Sequence, residues 1–574
     1  MSRNGERTEQ TPEKPRRRLL GRAVDYLDQL DSAGLGRALL SEAGGLLRHP
    51  LGSGAALGRY ALGELGAAGA SLARVIGARV GGPLAPHVKD RRFTDRAWED
   101  SPLYFALLQG HLLRERLAAE LVEAAGLRAE QSAKARLASQ VIVDALAPSN
   151  FLLGNPVALK RAFETGGMSV VRGMANFFED LRTRKGMPRQ VDTSAFQVGK
   201  NLAATPGKVV FKNHLMELLQ YAPQTKETFR LPLLLSPPWI NKYYIMDLAP
   251  GRSFAEWAVK HGHTTFAISY RNADASMRDV SLDDYLLHGP LEAIRVIQEI
   301  TGAPQVNVAA LCLGGTLATM LCAYLEEKGE PLVNSLTLLN TLVDFSEPGI
   351  LGAFTDEKTA ERIARRTAAR GYLDAAEMKA TFDLLRANDL VFGYVSSSWL
   401  MGEPPPAFDI LAWNSDGTRL PARMHSHYLR TCYRENQLAR DELVVAGVRL
   451  KPSRLRQDTY LVGAVEDHIT PWKSSFKTTA LLAGKVRFVL SNAGHIAGIV
   501  NPPGGKGSVH WTNEKLVADP EAWRSGAVRH EGTWWEDWAK WIEARAGERG
   551  APPPMGSSEH PPLGDAPGQY VLEK

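Results

Sequence analysis

Between residues 228 and 345 short apolar runs alternate with amphipathic stretches, and this alternation constrains the fold more than any other feature. "FRLPLLLSPP" reads as a strand that stops at Pro237 and Pro238. "SFAEWAVKHG" reads as a helix, with Ser253 and Glu256 at capping-box spacing and Gly262 placed to end it. "TTFAISYR" is a second strand. "GPLEAIRVIQEITG" is a second helix with Leu291, Ile294 and Ile297 on one face. "VNVAAL" is a third strand, a third helix follows it, and "SLTLLNTLVD" is a fourth strand. Strands and helices in strict alternation predict a mostly parallel sheet covered on both faces. From Phe345 to Arg440 the alternation stops, and the chain is helical and irregular with a Pro-rich turn at "GEPPPAFD". A crossover needs only about a dozen residues. The longer segment therefore reads as a cap inserted at about 345–440. The sheet pattern resumes at "DTYLVGAVED" and "KVRFVLSNAGH". Near the C-terminal end Trp534, Trp538 and Trp541 form a core-facing helical stripe.

The first 200 residues have a different period. Leu113, Leu117 and Leu121 recur at helical spacing, and Pro148 ends the next helical stretch. The opening "MSRNGERTEQTPEKPRRRLL" is charged and lacks the apolar centre of a secretory signal. It reads as a disordered leader over 1–30. The predicted organisation is thus a leader, a helical N-terminal domain over 31–200, and a catalytic domain over 201–574 that carries the cap. The 68 basic and 63 acidic residues form no long basic block, which argues against a nucleic-acid partner. No uncharged apolar stretch reaches the roughly 18 residues of a membrane span. Cys312, Cys322 and Cys432 are too few for a disulfide framework or a four-thiolate zinc site. They fit a reducing, cytoplasmic compartment. No metal or cofactor site is expected.

In "VNVAALCLGGT" a strand ends in Cys312, two glycines follow, and a helix begins. A buried structural cysteine needs no glycines behind it. A nucleophile on a strained strand-to-helix turn does, which is the arrangement of α/β-hydrolase folds. There the residues two before and two after the nucleophile are usually glycine; here they are Ala310 and Gly314. Cys322, on the following helix, and Cys432, in the cap, read as structural. In this fold the acid and then the histidine follow the nucleophile along the chain. Asp467 closes the strand "YLVGAVED", and His495 follows "VRFVLSNAG". Both lie after strand C-termini, where open α/β sheets gather their active sites. His468 is a weaker rival, being adjacent to its own acid. A cysteine nucleophile holds an acyl group as an activated thioester and so favours acyl transfer over hydrolysis. The Leu313 N–H and an N–H near Ile240 or Asn241 are the expected oxyanion donors. A cysteine thioesterase of the same fold and an inactive scaffold protein are the rival functions.

The blocks "APSNFLLGNP", "PPWINKYYIMDL", "GHTTFAISYRNAD", "ALCLGGT", "FDILAWNSDGTRLP", "VEDHITPW" and "AGHIAGIVNPP" resemble, in order, those of polyhydroxyalkanoate synthases, and the length resembles the large single-subunit type. The resemblance implies polymerisation of (R)-3-hydroxyacyl groups from coenzyme A thioesters, 3-hydroxybutyryl-CoA among them. CoA would be released and a polyester granule would form. It implies Cys312 as nucleophile, His495 as base and Asp467 as the third catalytic residue. It also implies a homodimer at the surface of cytoplasmic granules. Ala310 in place of glycine, Tyr270 in place of a common tryptophan and Ala273 in place of a common proline are departures from the pattern. Arg271 and Asp274 in "RNAD" are expected to pair within a buried turn.

Overall fold

The computed structural model describes residues 34–88 and 90–574, so the expected leader lies outside the described residues. Eleven strands form one large sheet. In chain order they are β1 (Gly207–Lys212), β2 (Met216–Tyr221), β3 (Leu233–Ser236), β4 (Thr265–Tyr270), β5 (Val306–Leu311), β6 (Val333–Leu339), β7 (Asp458–Ala464), β8 (Val486–Ser491), β9 (Val509–Thr512), β10 (Val528–Glu531) and β11 (Gly564–Asp565). Their spatial order is β10-β9-β8-β7-β6-β5-β3-β4-β2-β1-β11. The block from β4 through β3, β5, β6 and β7 to β8 is parallel. Antiparallel strands flank it on both sides. β5 is buried throughout, which is why it reads as an unbroken apolar run instead of an alternating one. Two apolar layers, one on each face, pack against this sheet.

The helix Phe254–Lys260 carries half of the expected capping box. Ser253 Oγ accepts from the Glu256 N–H at 2.9 Å, but the Glu256 carboxylate turns to the Gly251 N–H and Lys260. Gly262 follows the helix at φ 86°. On the helix Trp535–Glu543 and its cap, Trp534 and Trp538 are fully buried and Trp541 is partly buried against them. Arg271 and Asp274 do pair, at 2.7 Å, but with side chains 27% and 41% exposed the turn is not buried. The pair therefore contributes little stability.

Between β6 and β7, residues 345–440 add no strand to the large sheet. They carry the helices Glu357–Arg370, Ala375–Leu385 and Ala422–Tyr428 and a two-strand pair of their own, Tyr372–Leu373 with Leu420–Pro421. Upstream of the sheet lie the helices Leu35–Arg48, Pro50–Val75, Pro102–Ala124, Ala129–Ala145, Pro156–Glu164 and Met168–Arg184. Several of these grip the segment at 349–400. Leu137 packs with Phe354 and Leu385. Lys134 forms an ion pair with Asp356. Asn155 Nδ2 donates to Ser396 Oγ at 2.9 Å, and the Trp399 indole N–H donates to Asp180 at 2.8 Å. Gly173 lies so close to the Trp399 carbonyl that a side chain would not fit.

Candidate active site

β5 ends at Leu311, and Cys312 follows at φ 52° and ψ −121° before the helix Leu313–Lys328 begins. A non-glycine residue there costs about 1–3 kcal/mol, so the surroundings must hold it. The Cys312 N–H donates to the Leu339 carbonyl at 2.8 Å, tying the turn to β6. The two glycines behind it are required by close approach. A Cβ on Gly314 would lie 2.3 Å from the Ser236 carbonyl oxygen, and one on Gly315 would lie 2.0 Å from Thr341 Oγ1. These contacts let the helix dock against the ends of β3 and β6 with the thiol at its N-terminus. Ala310, where glycine is usual, is fully buried in register with Ser236 of β3, and its methyl is accommodated there. Cys322 and Cys432 are fully enclosed, and burial pushes each thiol up to about 12.

β7 stops at Ala464, so Asp467 sits in the turn beyond it: its N–H donates to the Ala464 carbonyl at 3.1 Å. His495 lies four residues beyond the end of β8. The structure brings the two together, with His495 Nδ1 2.7 Å from Asp467 Oδ2. Asp467 Oδ1 accepts from the N–H groups of Ile469 and Thr470, at 2.9 and 2.8 Å. The Thr470 hydroxyl donates to Oδ2 at 2.6 Å. Burial alone would push the Asp467 carboxyl up, but His495 and Thr470 hold it below its ordinary value. For His495, burial would push the imidazole down. The Asp467 charge and the Cys312 sulfur outweigh that and hold it up to about 10. The Cys312 sulfur, like the Asp467 carboxylate, favours the charged ring, so the three groups are electrostatically coupled.

His468 is not one of them; its Nδ1 is buried without a hydrogen-bond partner among the described residues, and burial pushes the ring down to about 4. Asn340 and Thr470 are supporting residues that sequence reasoning did not single out. Asn340 Nδ2 donates to the His495 carbonyl at 2.6 Å, and the Asn340 carbonyl lies 3.1 Å from the Thr470 hydroxyl. The turn at "DHITPW" is an Asx-turn closed by Asp467, whose side chain accepts the Ile469 N–H two residues on. Of the two residues expected to carry the second oxyanion donor, Asn241 is committed: its N–H donates to Thr418 Oγ1 at 2.8 Å. Ile240 lines the same cavity as Cys312 and Leu313. That cavity has a volume of about 240 Å³ and a largely apolar wall that includes Phe354, Met378 and Tyr428 from the cap segment. Away from it, His111, Glu115 and Asp144 approach closely enough to hold a metal ion. The Arg92 guanidinium already pairs with Glu115 and Asp144, at 3.1 and 2.9 Å, and supplies the cation there.

Two family models match the chain: the N-terminus of poly-beta-hydroxybutyrate polymerase over residues 89–258, and the alpha/beta hydrolase fold over residues 241–502. A poly(3-hydroxyalkanoate) polymerase subunit of Cupriavidus necator is 42% identical over 500 residues, covering 86% of this chain and 84% of its own. The chain belongs to the poly(3-hydroxyalkanoate) polymerases. Poly(3-hydroxyalkanoate) polymerase 2 of Ectopseudomonas oleovorans is 42% identical and covers 92% of both chains. The polymerase of Methylorubrum extorquens is 41% identical over 88% of this chain and 84% of its own. The protein is therefore an enzyme, an acyltransferase of polyhydroxyalkanoate biosynthesis built on an α/β-hydrolase fold. Among the described residues of this polymerase, no helix is long and apolar enough to cross a membrane.

Proposed function

We propose that the polymerase uses Cys312 as a covalent acyl carrier and takes (R)-3-hydroxyacyl groups, 3-hydroxybutyryl among them, from coenzyme A. The observation that carries this reading is the coupled set Asp467, His495 and Cys312, the last of them on the strained turn. His495 takes the thiol proton, and the sulfur attacks the thioester carbonyl. The oxyanion is held by the N–H groups of Leu313 and Ile240. The C–S bond to CoA breaks, and CoA leaves as the thiol with the proton from His495. The acyl group is now a Cys312 thioester. A 3-hydroxyl, from a second acyl unit or a growing chain, attacks it and gives its proton to His495. An ester forms, and the Cys312 sulfur is released. Asp467 works through His495, because its side chain is wholly buried and both oxygens are occupied. The cap segment over the cavity keeps water from ending the chain. The reaction needs no cofactor or metal. The same reading places the enzyme in the cytoplasm, as a homodimer at the surface of the polyester granule it makes.

The test is incubation with 3-hydroxybutyryl-CoA while free CoA and turbidity are followed together. Both should rise in step. CoA release with free hydroxy acid and no turbidity would make the protein a thioesterase, and no CoA release would overturn the acyl-carrier role.

A further inference from the structure

The loop after β3 holds an ammonium group that the reaction does not use. Lys242, two residues beyond Ile240, is only 3% exposed. Its Nζ donates to the Val571 carbonyl at 2.6 Å and to the Glu573 carbonyl. No carboxylate among the described residues lies within ion-pairing distance of it; Asp416 and Glu573 act on it only at longer range. Burying a charge with so little compensation costs several kcal/mol, and an apolar residue of similar length commonly serves stability as well or better. Stability thus gives no reason for a lysine here, whereas geometry does. The backbone of the same loop is pinned from the opposite side. The Trp413 indole N–H donates to the Lys242 carbonyl at 2.7 Å, and the Asn241 N–H, at φ 67°, donates to Thr418 Oγ1. The segment that receives the ammonium is itself anchored. Glu217 accepts the N–H groups of Gln569 and Tyr570, at 2.8 and 2.9 Å, and the Tyr570 hydroxyl donates to the Asn213 carbonyl. The loop is therefore strung between the cap segment on one side and residues 569–573 on the other.

We propose that Lys242 is a positioning residue for acyl transfer: tethered to Val571 and Glu573, it fixes the loop so that the Ile240 N–H meets the oxyanion. This rests on the thioester mechanism above. Misplacing a donor by a fraction of an ångström weakens transition-state binding while leaving substrate binding nearly intact. Loss of the tether should therefore lower kcat and spare KM.

The experiment compares wild type, Lys242→Met and a chain ending at Tyr570. Each is assayed for CoA release from 3-hydroxybutyryl-CoA, with competent sites counted by alkylation of Cys312 and folding followed by thermal melting. Both variants should alkylate Cys312 as wild type does. Both should lose roughly 10- to 100-fold in kcat per competent site with KM within about twofold, less than the roughly 100- to 1,000-fold that outright removal of an oxyanion donor costs. Wild-type kcat per competent site in either folded variant would overturn the proposal, as would a loss confined to KM. Should both fail to fold, Trp413→Phe frees the same loop from the other side and is held to the same criterion. A wild-type enzyme that releases no CoA would instead refute the mechanism beneath it.

Discussion

Three cysteines of one chain meet different surroundings, and their variants should separate accordingly. Cys312→Ala should abolish CoA release, whereas Cys322→Ala and Cys432→Ala, each losing only a small enclosed side chain, should retain most of it. Assay of the three variants side by side checks this. The roles of Asp467 and His495 should also separate. A thiol yields its proton far more readily than an alcohol. Loading therefore asks less of the imidazole than elongation, in which a hydroxyl must be deprotonated. Asp467→Asn should load one acyl group in a single turnover and barely elongate, and His495→Gln should fail at both. Rapid-quench labelling with radiolabelled acyl-CoA, comparing protein-bound label with polymer, is the measurement. Equal loss of both steps in Asp467→Asn would reduce Asp467 to an ordinary triad acid. Cys312, Asp467 and His495 could be picked out because each follows a β run in the order this fold imposes. Asn340 and Thr470 could not, since a polar residue after a strand looks the same whether it is solvated or, like Asn340, turned inward at φ 43° to hold His495. Nor does sequence distinguish Ile240 from Asn241 as donor, because the Thr418 hydroxyl that occupies Asn241 lies 177 residues away.

The parallel core was legible element by element because β3 to β8 are short, apolar and separated by helical periods. The flanking strands were not. β1, β2, β9 and β10 are antiparallel, and β11 has two residues, so their residue pattern is no stronger than that of a loop. The link between β2 and the 3-10 turn Tyr243–Met246 carries a measurable signature. Asp247 is fully buried beneath the hydroxyls of Thr205, Ser253 and Tyr221, with Tyr243 and Glu256 nearby. Burial pushes its carboxyl up to about 6 from an ordinary 3.8. A raised acid stabilises the fold fully below its unfolded value, and that contribution is lost as pH rises through about 6. A shift of two units corresponds to roughly 3 kcal/mol. Asp247→Asn should melt higher than wild type at pH 7.5 and lose that advantage near pH 4; melting curves across this range decide it. The segment 345–440 should behave as a moving cap. Hydrogen exchange and limited proteolysis there should change when a non-hydrolysable CoA analogue is added, and unchanged exchange throughout would count against the motion.

In the whole molecule the helical region and the cap segment form one mechanical unit. Leu137, on the helix Ala129–Ala145, packs against the short turn Gly349–Phe354 that borders the cavity. Leu137→Ala should cost about 2–5 kcal/mol at that contact. Hydrogen exchange should then accelerate in Ala129–Ala145 and Gly349–Phe354 together, whereas acceleration in only one would show that the two are independent. The brace on the loop after β3 spans a still greater length of chain, since Lys242 and Val571 are 329 residues apart. At about 5–20 residues per second, a ribosome takes roughly 15 to 65 seconds to cover that stretch. By the later part of this interval β3, β5 and the Cys312 turn have been synthesised, while the residues that tether Lys242 do not yet exist. By the positioning role proposed for Lys242, a chain still on the ribosome carries its thiol turn before it carries the brace that makes the turn productive.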